Sequence, residues 1–284
     1  MTLVCFGSVK GSPGVTLTAL LTAAMWPSRN ERGKVLLEAD PDGGSLALRY
    51  QMPARPGLLS LAAATGNSLS RDGVFEHAQA LPGGLPAVVG PPSSDQASAA
   101  MRSVGADMGD WFSAAPIDVI ADVGRLSPSA PTSRFVSSAD ALLVVARPTS
   151  DQLQSAANRM RVLGKHLQVG WVLIGEQPYS PYDVSEAFDF PIVSVLPDDP
   201  RTAARIVDGA DPTKLRRSPL IREINRFAQS LTDWLASSAP GDRLASSADE
   251  GDAVDEDMPS PWPEEAEPSA ETETLESNTE APSP

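Results

Sequence analysis

The sequence predicts an α/β protein: a mostly parallel β-sheet with helices on both faces, followed by a disordered acidic C-terminal tail. Three observations lead there. Short, continuous apolar runs alternate with helix-forming segments along the first 236 residues, as in strands buried on both faces. A glycine-bearing loop, Ser8-Val9-Lys10-Gly11-Ser12-Pro13-Gly14-Val15-Thr16, separates the first apolar run from the first helical segment. The composition then changes abruptly near residue 237.

The elements follow in order. Leu3-Val4-Cys5-Phe6-Gly7 is short and apolar enough for a buried strand, and Leu17–Met25 is rich in helix formers. A strand, a glycine loop and a helix start converge backbone N–H groups and the positive end of a helix dipole on one spot, which suits a phosphate. Gly57–Ala64 reads as a short helix and Leu85–Gly90 as a strand. Ile117–Asp122 is an apolar strand ending in a carboxylate. Asp140 precedes the buried strand Ala141–Ala146, and Pro148, Thr149, Ser150 and Asp151 make a turn and helix cap before a helix over Gln152–His166. Val169–Ile174 and Pro191–Leu196 are further strands. Ligands of such sheets bind beyond the carboxyl ends of the strands, where the glycine loop, Asp40 and Asp122 all fall.

Charge divides the chain. Its formal net charge is −15 over 284 residues, yet Ser237–Pro284 holds 14 acidic residues against one basic residue, Arg243. The remainder carries 23 acidic and 21 basic residues and is close to neutral. The tail is dense in Pro, Ser and Glu and nearly free of large apolar side chains, so it cannot bury enough surface to offset the entropy of ordering. This predicts one folded domain over residues 1–236 and a disordered tail over 237–284. The single cysteine, Cys5, allows no intrachain disulfide and excludes a thiolate-held iron–sulfur cluster. No apolar run reaches the length of a membrane span, and the N-terminus lacks a basic start followed by a long apolar core, so a cytoplasmic location is expected.

The glycine loop departs from the P-loop pattern G-x-x-x-x-G-K-[ST]. Its start falls on Val9 and its lysine position on Val15, leaving Gly14 and Thr16 as matches. It resembles more closely the deviant loop K-G-G-x-G-K-[ST] of the ParA/MinD family of P-loop ATPases. Lys10, Gly11, Gly14 and Thr16 match, Ser12 replaces a glycine, and Val15 replaces the lysine. Two further segments carry the resemblance. Lys34-Val35-Leu36-Leu37-Glu38-Ala39-Asp40-Pro41-Asp42-Gly43-Gly44 is similar to the family's second strand and D-x-D-P-x-G switch, with Glu38 in place of the first Asp. Ile117–Asp122 is similar to its Walker B strand.

The resemblance implies a site for ATP or ADP and Mg²⁺. Gly11, Ser12, Pro13, Gly14, Val15, Thr16 and Leu17 would cradle the nucleotide. Lys10 would reach the phosphates held by the other subunit of an ATP-bound homodimer. Asp40 would orient the attacking water, and Thr16 and Asp122 would hold Mg²⁺, Asp122 through water. With Val15 in the lysine position, weak ATP binding and slow or absent hydrolysis are expected. Shorter segments, among them Asp122-Val123-Gly124-Arg125-Leu126, Ala146-Arg147-Pro148 and Leu196-Pro197-Asp198-Asp199-Pro200-Arg201, resemble TadZ/CpaE-like proteins of pilus assembly and ParA-like proteins of actinobacteria. In many relatives an Asn after the sixth strand reads the base; Gly175 stands near that place.

Each feature also has a plain structural reading. Lys10 is alternatively a solvated loop residue, and Asp40 and Asp122 are alternatively helix caps. His77 and His166 have no ligand-spaced partners and read as surface residues. Arg201, Arg205, Lys214, Arg216, Arg217, Arg222 and Arg226 form a basic set that fits either non-specific DNA or a solvated face. Leu220, Ile221, Ile224, Phe227, Leu231, Trp234 and Leu235 recur at helical spacing, which favours packing on the domain over membrane binding. The expected function is to position or switch a protein partner in DNA segregation or in placing a pilus or secretion complex. The alternative is a catalytically silent scaffold of the same fold.

Overall fold

A computed structural model of the chain describes residues 2–11, 13–27, 33–64, 71–114, 117–165 and 167–237. The strands are β1 (Thr2–Ser8), β2 (Gly33–Glu38), β3 (Gln79–Leu81), β4 (Leu85–Val88), β5 (Ile117–Arg125), β6 (Ala141–Ala146), β7 (Gln168–Ile174) and β8 (Ile192–Leu196). They join in one sheet of order β3-β4-β2-β5-β1-β6-β7-β8. Every neighbouring pair is parallel except β3 with β4, an antiparallel hairpin at one edge. The helices are α1 (Val15–Met25), α2 (Leu46–Arg49), α3 (Leu58–Ala64), α4 (Arg71–Glu76), α5 (Ser94–Ala114), α6 (Ser133–Ser137), α7 (Ser150–Leu163), α8 (Pro181–Ala187), α9 (Pro200–Val207) and α10 (Pro219–Ser237).

The central strands show why the apolar runs are continuous. β1 lies between β5 and β6, and its residues from Leu3 to Ser8 are all buried. Because strand side chains alternate, Val4 and Phe6 face one layer and Leu3 and Cys5 the other. The first layer joins Val4, Phe6, Ile120 and Leu143 to Leu20 and Leu21 of α1 and Ile224, Phe227 and Leu231 of α10. Phe6 meets Phe227 edge to face, with ring centroids 6.3 Å apart. The apolar stripe of α10 is therefore core, and no helix among the described residues is long and apolar enough to cross a membrane.

Polar tethers fix the sheet to α1. The buried Trp26, just past the end of α1, donates its indole N–H to Asp118 of β5 at 3.1 Å. Lys34 of β2 donates to the carbonyls of Ala24 and Trp26 at 3.0 and 2.9 Å, satisfying helix-end acceptors that would otherwise lack partners.

The structure departs from the expected elements in several places. α5 was not anticipated, nor were the short helices α2, α4, α6, α8 and α9. The buried stripe of α5, Ala97, Ala100, Met101 and Val104, has helical spacing, but the alanines make the stripe weak in hydrophobicity. The edge strand β3 is only three residues long and was also missed. β5 continues past Asp122 to Arg125, because Arg125 pairs with Ser8 and Leu126 N–H bonds to the Ser8 carbonyl at 2.7 Å. The other expected strands and helices appear within a few residues of their predicted limits. Ser12, His166 and the tail beyond Ser237 lie outside the described residues.

Candidate functional site

The site lies at the carboxyl edge of β1, β2 and β5, the three strands that sequence reading aimed at one place. Ser8 ends β1, the loop follows, and Gly14 caps α1 in the left-handed conformation (φ 101°). A Cβ built on Gly14 would meet nothing within 4 Å, so the helix start presents bare backbone to open space. A cleft of about 430 Å³ opens there, lined by Ser8, Gly11, Gly14, Val15, Thr16 and Leu17 on one side. Asp40, Asp42, Arg49, Gly124, Arg125 and Val207 complete it. Pro13 is buried behind the loop and lines a smaller neighbouring cavity together with Gly14 and Leu17.

Three carboxylates stand at this edge, each in a different setting. Glu38, almost fully buried, accepts backbone N–H groups from Ser45 at 2.6 Å, Gly90 at 2.9 Å and Leu46 at 3.0 Å. It clamps the segment after β2 to the end of β4, a fastening role for the residue in the place of the switch's first Asp. Burial still raises its pKa above the ordinary carboxylate range. Asp40 accepts the Asp42 N–H at 2.9 Å and lines the cleft. Burial raises its pKa too, opposed by the Asp42 N–H and by Arg125.

Asp122 is as buried as Glu38 and stands opposite it in the register of β5 and β2. Its Oδ1 accepts the Gly124 N–H at 3.1 Å, while Oδ2 has no hydrogen-bond partner. Burial pushes its pKa up to about 7, countered by the Thr16 hydroxyl and the Gly124 N–H and reinforced by the negative charge of Asp40 and Glu38. A buried carboxylate oxygen left unsatisfied beside a threonine hydroxyl fits a Mg²⁺ shell. No group of three or more His, Cys, Asp or Glu side chains able to hold a metal occurs among the described residues. A cation here would take few protein ligands and complete its shell with phosphate and water, as Mg²⁺ does.

Gly124 makes the approach of the two aspartates feasible. Its φ is 63°, and a Cβ on it would fall 2.2 Å from the Asp40 carboxylate. Only glycine fits at position 124 in this arrangement.

Two loop residues behave differently from the P-loop pattern. Val15 is buried in the core cluster with Leu20 and Leu21 and brings no charge to the cleft. Lys10 forms a 3.3 Å ion pair with Asp151 in the first turn of α7, both groups about half exposed. The Asp151 carboxyl is held below the usual range by the Thr149 hydroxyl first and by Lys10 as a lesser cause. The structure thus gathers Gly11, Gly14, Val15, Thr16, Leu17 and Asp40 around one cleft with Asp122 beside it, and sets Lys10 on its flank.

Sequence reading gave no role to Arg49 and Arg125, which line the cleft. Arg125 was part of a quoted motif; the signal that could have singled it out is its place three residues after the strand-end aspartate. Other quoted segments meet beside the same loop. Arg147 makes a two-pronged bond to Asp198 at 2.6 and 3.2 Å, next to a cavity of about 190 Å³ lined also by Pro13, Gly14 and Pro197. Asp199 caps α9 by accepting the Thr202 N–H at 3.0 Å, and it also accepts the hydroxyl of Ser218, just before α10, at 3.0 Å. Of the basic set, Arg216 and Arg222 line a separate cleft of about 420 Å³ between α1 and α10. Arg226 and Lys214 are paired with Glu223 and Asp211.

No protein-family model matches the sequence, and no curated protein is significantly similar to it. Solved structures are. The ParA family ATPase from Chlorobium tepidum TLS superposes with a TM-score of 0.68 at 16% identity, covering 81% of this chain and 99% of that one. The fold is that of ParA and MinD. The cell division ATPase MinD of Pyrococcus furiosus matches with a TM-score of 0.64 at 19% identity over 82% of this chain and 99% of its own. MinD of Pyrococcus horikoshii OT3, solved as a complex with Mg-ADP, gives 0.64 at 17% identity over 84% and 99%. The ParA/MinD fold accounts for nearly the whole described chain, and each of these structures is covered almost end to end.

Proposed function

We propose that this chain is a ParA/MinD-like nucleotide-binding protein, allied to the TadZ/CpaE-like or actinobacterial ParA-like proteins, that positions or switches a protein partner. It binds Mg²⁺ with ATP or ADP weakly and hydrolyses ATP slowly or not at all. The carrying observation is a cleft lined by the open helix start at Gly14 and by Thr16, with the buried, unsatisfied Oδ2 of Asp122 beside it. Backbone N–H groups of Gly11, Gly14, Val15, Thr16 and Leu17, in the loop that also holds Ser12 and Pro13, cradle the phosphates. Thr16 and Asp122 hold Mg²⁺, Asp122 through water, and bound Mg²⁺ neutralises phosphate charge. Asp40 orients a water at the cleft. Residues 1–236 carry this site, and residues 237–284 are an appended acidic tail.

The partner belongs to a DNA-partitioning or a pilus or secretion system in the cytoplasm, and the working unit is a homodimer. Lys10 reaches the neighbouring subunit's nucleotide by leaving Asp151; an exposed ion pair of this kind holds it by less than about 1 kcal/mol. The silent-scaffold reading has its own observation: the lysine position is filled by a buried valine. Titration calorimetry with Mg-ATP and Mg-ADP, joined to sedimentation of wild type and Lys10→Ala, separates the two. ATP-dependent dimerisation that is lost in Lys10→Ala supports the switch. Partner binding and a sedimentation coefficient indifferent to nucleotide would leave the scaffold.

A further inference from the structure

The cleft has two features at odds with polyphosphate binding. Its lysine position is a core valine, and Asp40 and Asp42 line it with negative charge. It is nevertheless not without cations. Arg125 ends β5 in register with Ser8, the residue that opens the loop, and Leu126 N–H ties the same point to the Ser8 carbonyl at 2.7 Å. Arg49 ends α2, the short helix whose start is held by the Glu38 clamp. Both line the cleft, both are solvent-exposed, and neither closes a salt bridge among the described residues. Both elements are rigidly placed: β5 pairs on both sides, and α2 is fixed by two N–H bonds to one buried carboxylate.

Resting on the nucleotide-site reading, we propose that Arg49 and Arg125 together replace the missing P-loop lysine as the cations that bind the terminal phosphates. A guanidinium stays charged at any physiological pH and offers a planar fork of donors matched to phosphate oxygens. Two arginines on separate elements grip the polyphosphate from two sides, where one lysine would act as a point charge. Arg125 also offsets the charge of Asp40, which Gly124 brings close to the same strand end. Arg49 couples phosphate occupancy to the segment following Asp40, so the cations report the nucleotide to the switch. Because they serve the terminal phosphates, they discriminate ATP from ADP.

The test is calorimetric titration of the full chain with Mg-ATP and with Mg-ADP, for wild type, Arg49→Ala, Arg125→Ala and the double variant. Each single change should weaken ATP binding about tenfold and the pair about a hundredfold. ADP binding should fall by a smaller factor. Arg49→Gln and Arg125→Gln keep much of the aliphatic stem and remove the charge; they should follow the alanine variants with an unchanged thermal midpoint. If an alanine variant fails to fold, the glutamine variant decides. Wild-type binding matched by every neutral variant would overturn the arginine assignment and leave the nucleotide site standing. A wild type that binds neither nucleotide would remove the site itself, and the arginine assignment with it.

Discussion

Glu38 shows how one buried carboxylate can fasten two segments of the fold. Its two oxygens satisfy three backbone N–H groups from two segments, so truncation orphans all three at once. Glu38→Ala should lower stability by about 3 kcal/mol or more, since each buried unsatisfied donor costs about 1–3 kcal/mol. Chemical denaturation with an unchanged m-value is the check. Glu38→Gln should be intermediate, because its amide nitrogen cannot accept a third N–H. Gly124 is equally restricted, for a steric reason. Gly124→Ala places a methyl group against the Asp40 carboxylate at a positive φ and should destabilise by more than about 1 kcal/mol. It should also abolish nucleotide binding by pushing Asp40 away from Asp122; binding that survives with a wild-type thermal midpoint would show that the two aspartates need not be close.

Among the elements, α10 ties the C-terminal part of the described chain to the central sheet. Phe227 is almost fully buried and stacks edge to face on Phe6 of the central strand. Phe227→Ala should cost about 3–5 kcal/mol, read from the denaturation midpoint, with a smaller loss for Phe227→Leu. The stripe that carries Phe227 was legible in the sequence because Leu, Ile and Phe mark helical spacing strongly. The long helix α5 was not, because its buried positions include Ala97 and Ala100, and glycine recurs along it. The buried strands were legible for the same reason as α10: Val, Ile and Leu in continuous runs have few alternatives. β3 was hidden by its brevity. At the site, the loop, Asp40 and Asp122 could be placed at one edge from strand order alone. The Lys10–Asp151 pair could not, because 141 positions separate its partners in sequence and only the fold brings α7 beside the loop. Arg49 was equally hidden, since nothing in its local pattern separates a cleft arginine from a solvated one.

Charge over the whole chain sets up the remaining prediction. The described domain is nearly neutral, whereas the 47 residues after Ser237 hold 14 acidic groups and one arginine. That segment is attached at the end of α10, the helix that carries Arg222 and Arg226. Arg216 and Arg222 line one cleft with Asn225, so part of the basic set is grouped on a single surface. Under the partitioning reading, this surface meets DNA phosphates, and the acidic segment competes for it by simple attraction. Deleting residues 238–284 should therefore raise non-specific DNA binding at low salt. The gain should fade as added salt brings the Debye length below about 10 Å. The thermal midpoint of the truncated chain should stay close to that of the full chain, because the deleted segment is almost free of large apolar side chains that could join the core. Fluorescence anisotropy on a random-sequence duplex, run across a salt series for both lengths, checks the first part, and a thermal melt checks the second. If the truncated chain binds no DNA at any salt concentration, the cleft of Arg216 and Arg222 faces a protein, and the chain's cargo is a protein complex.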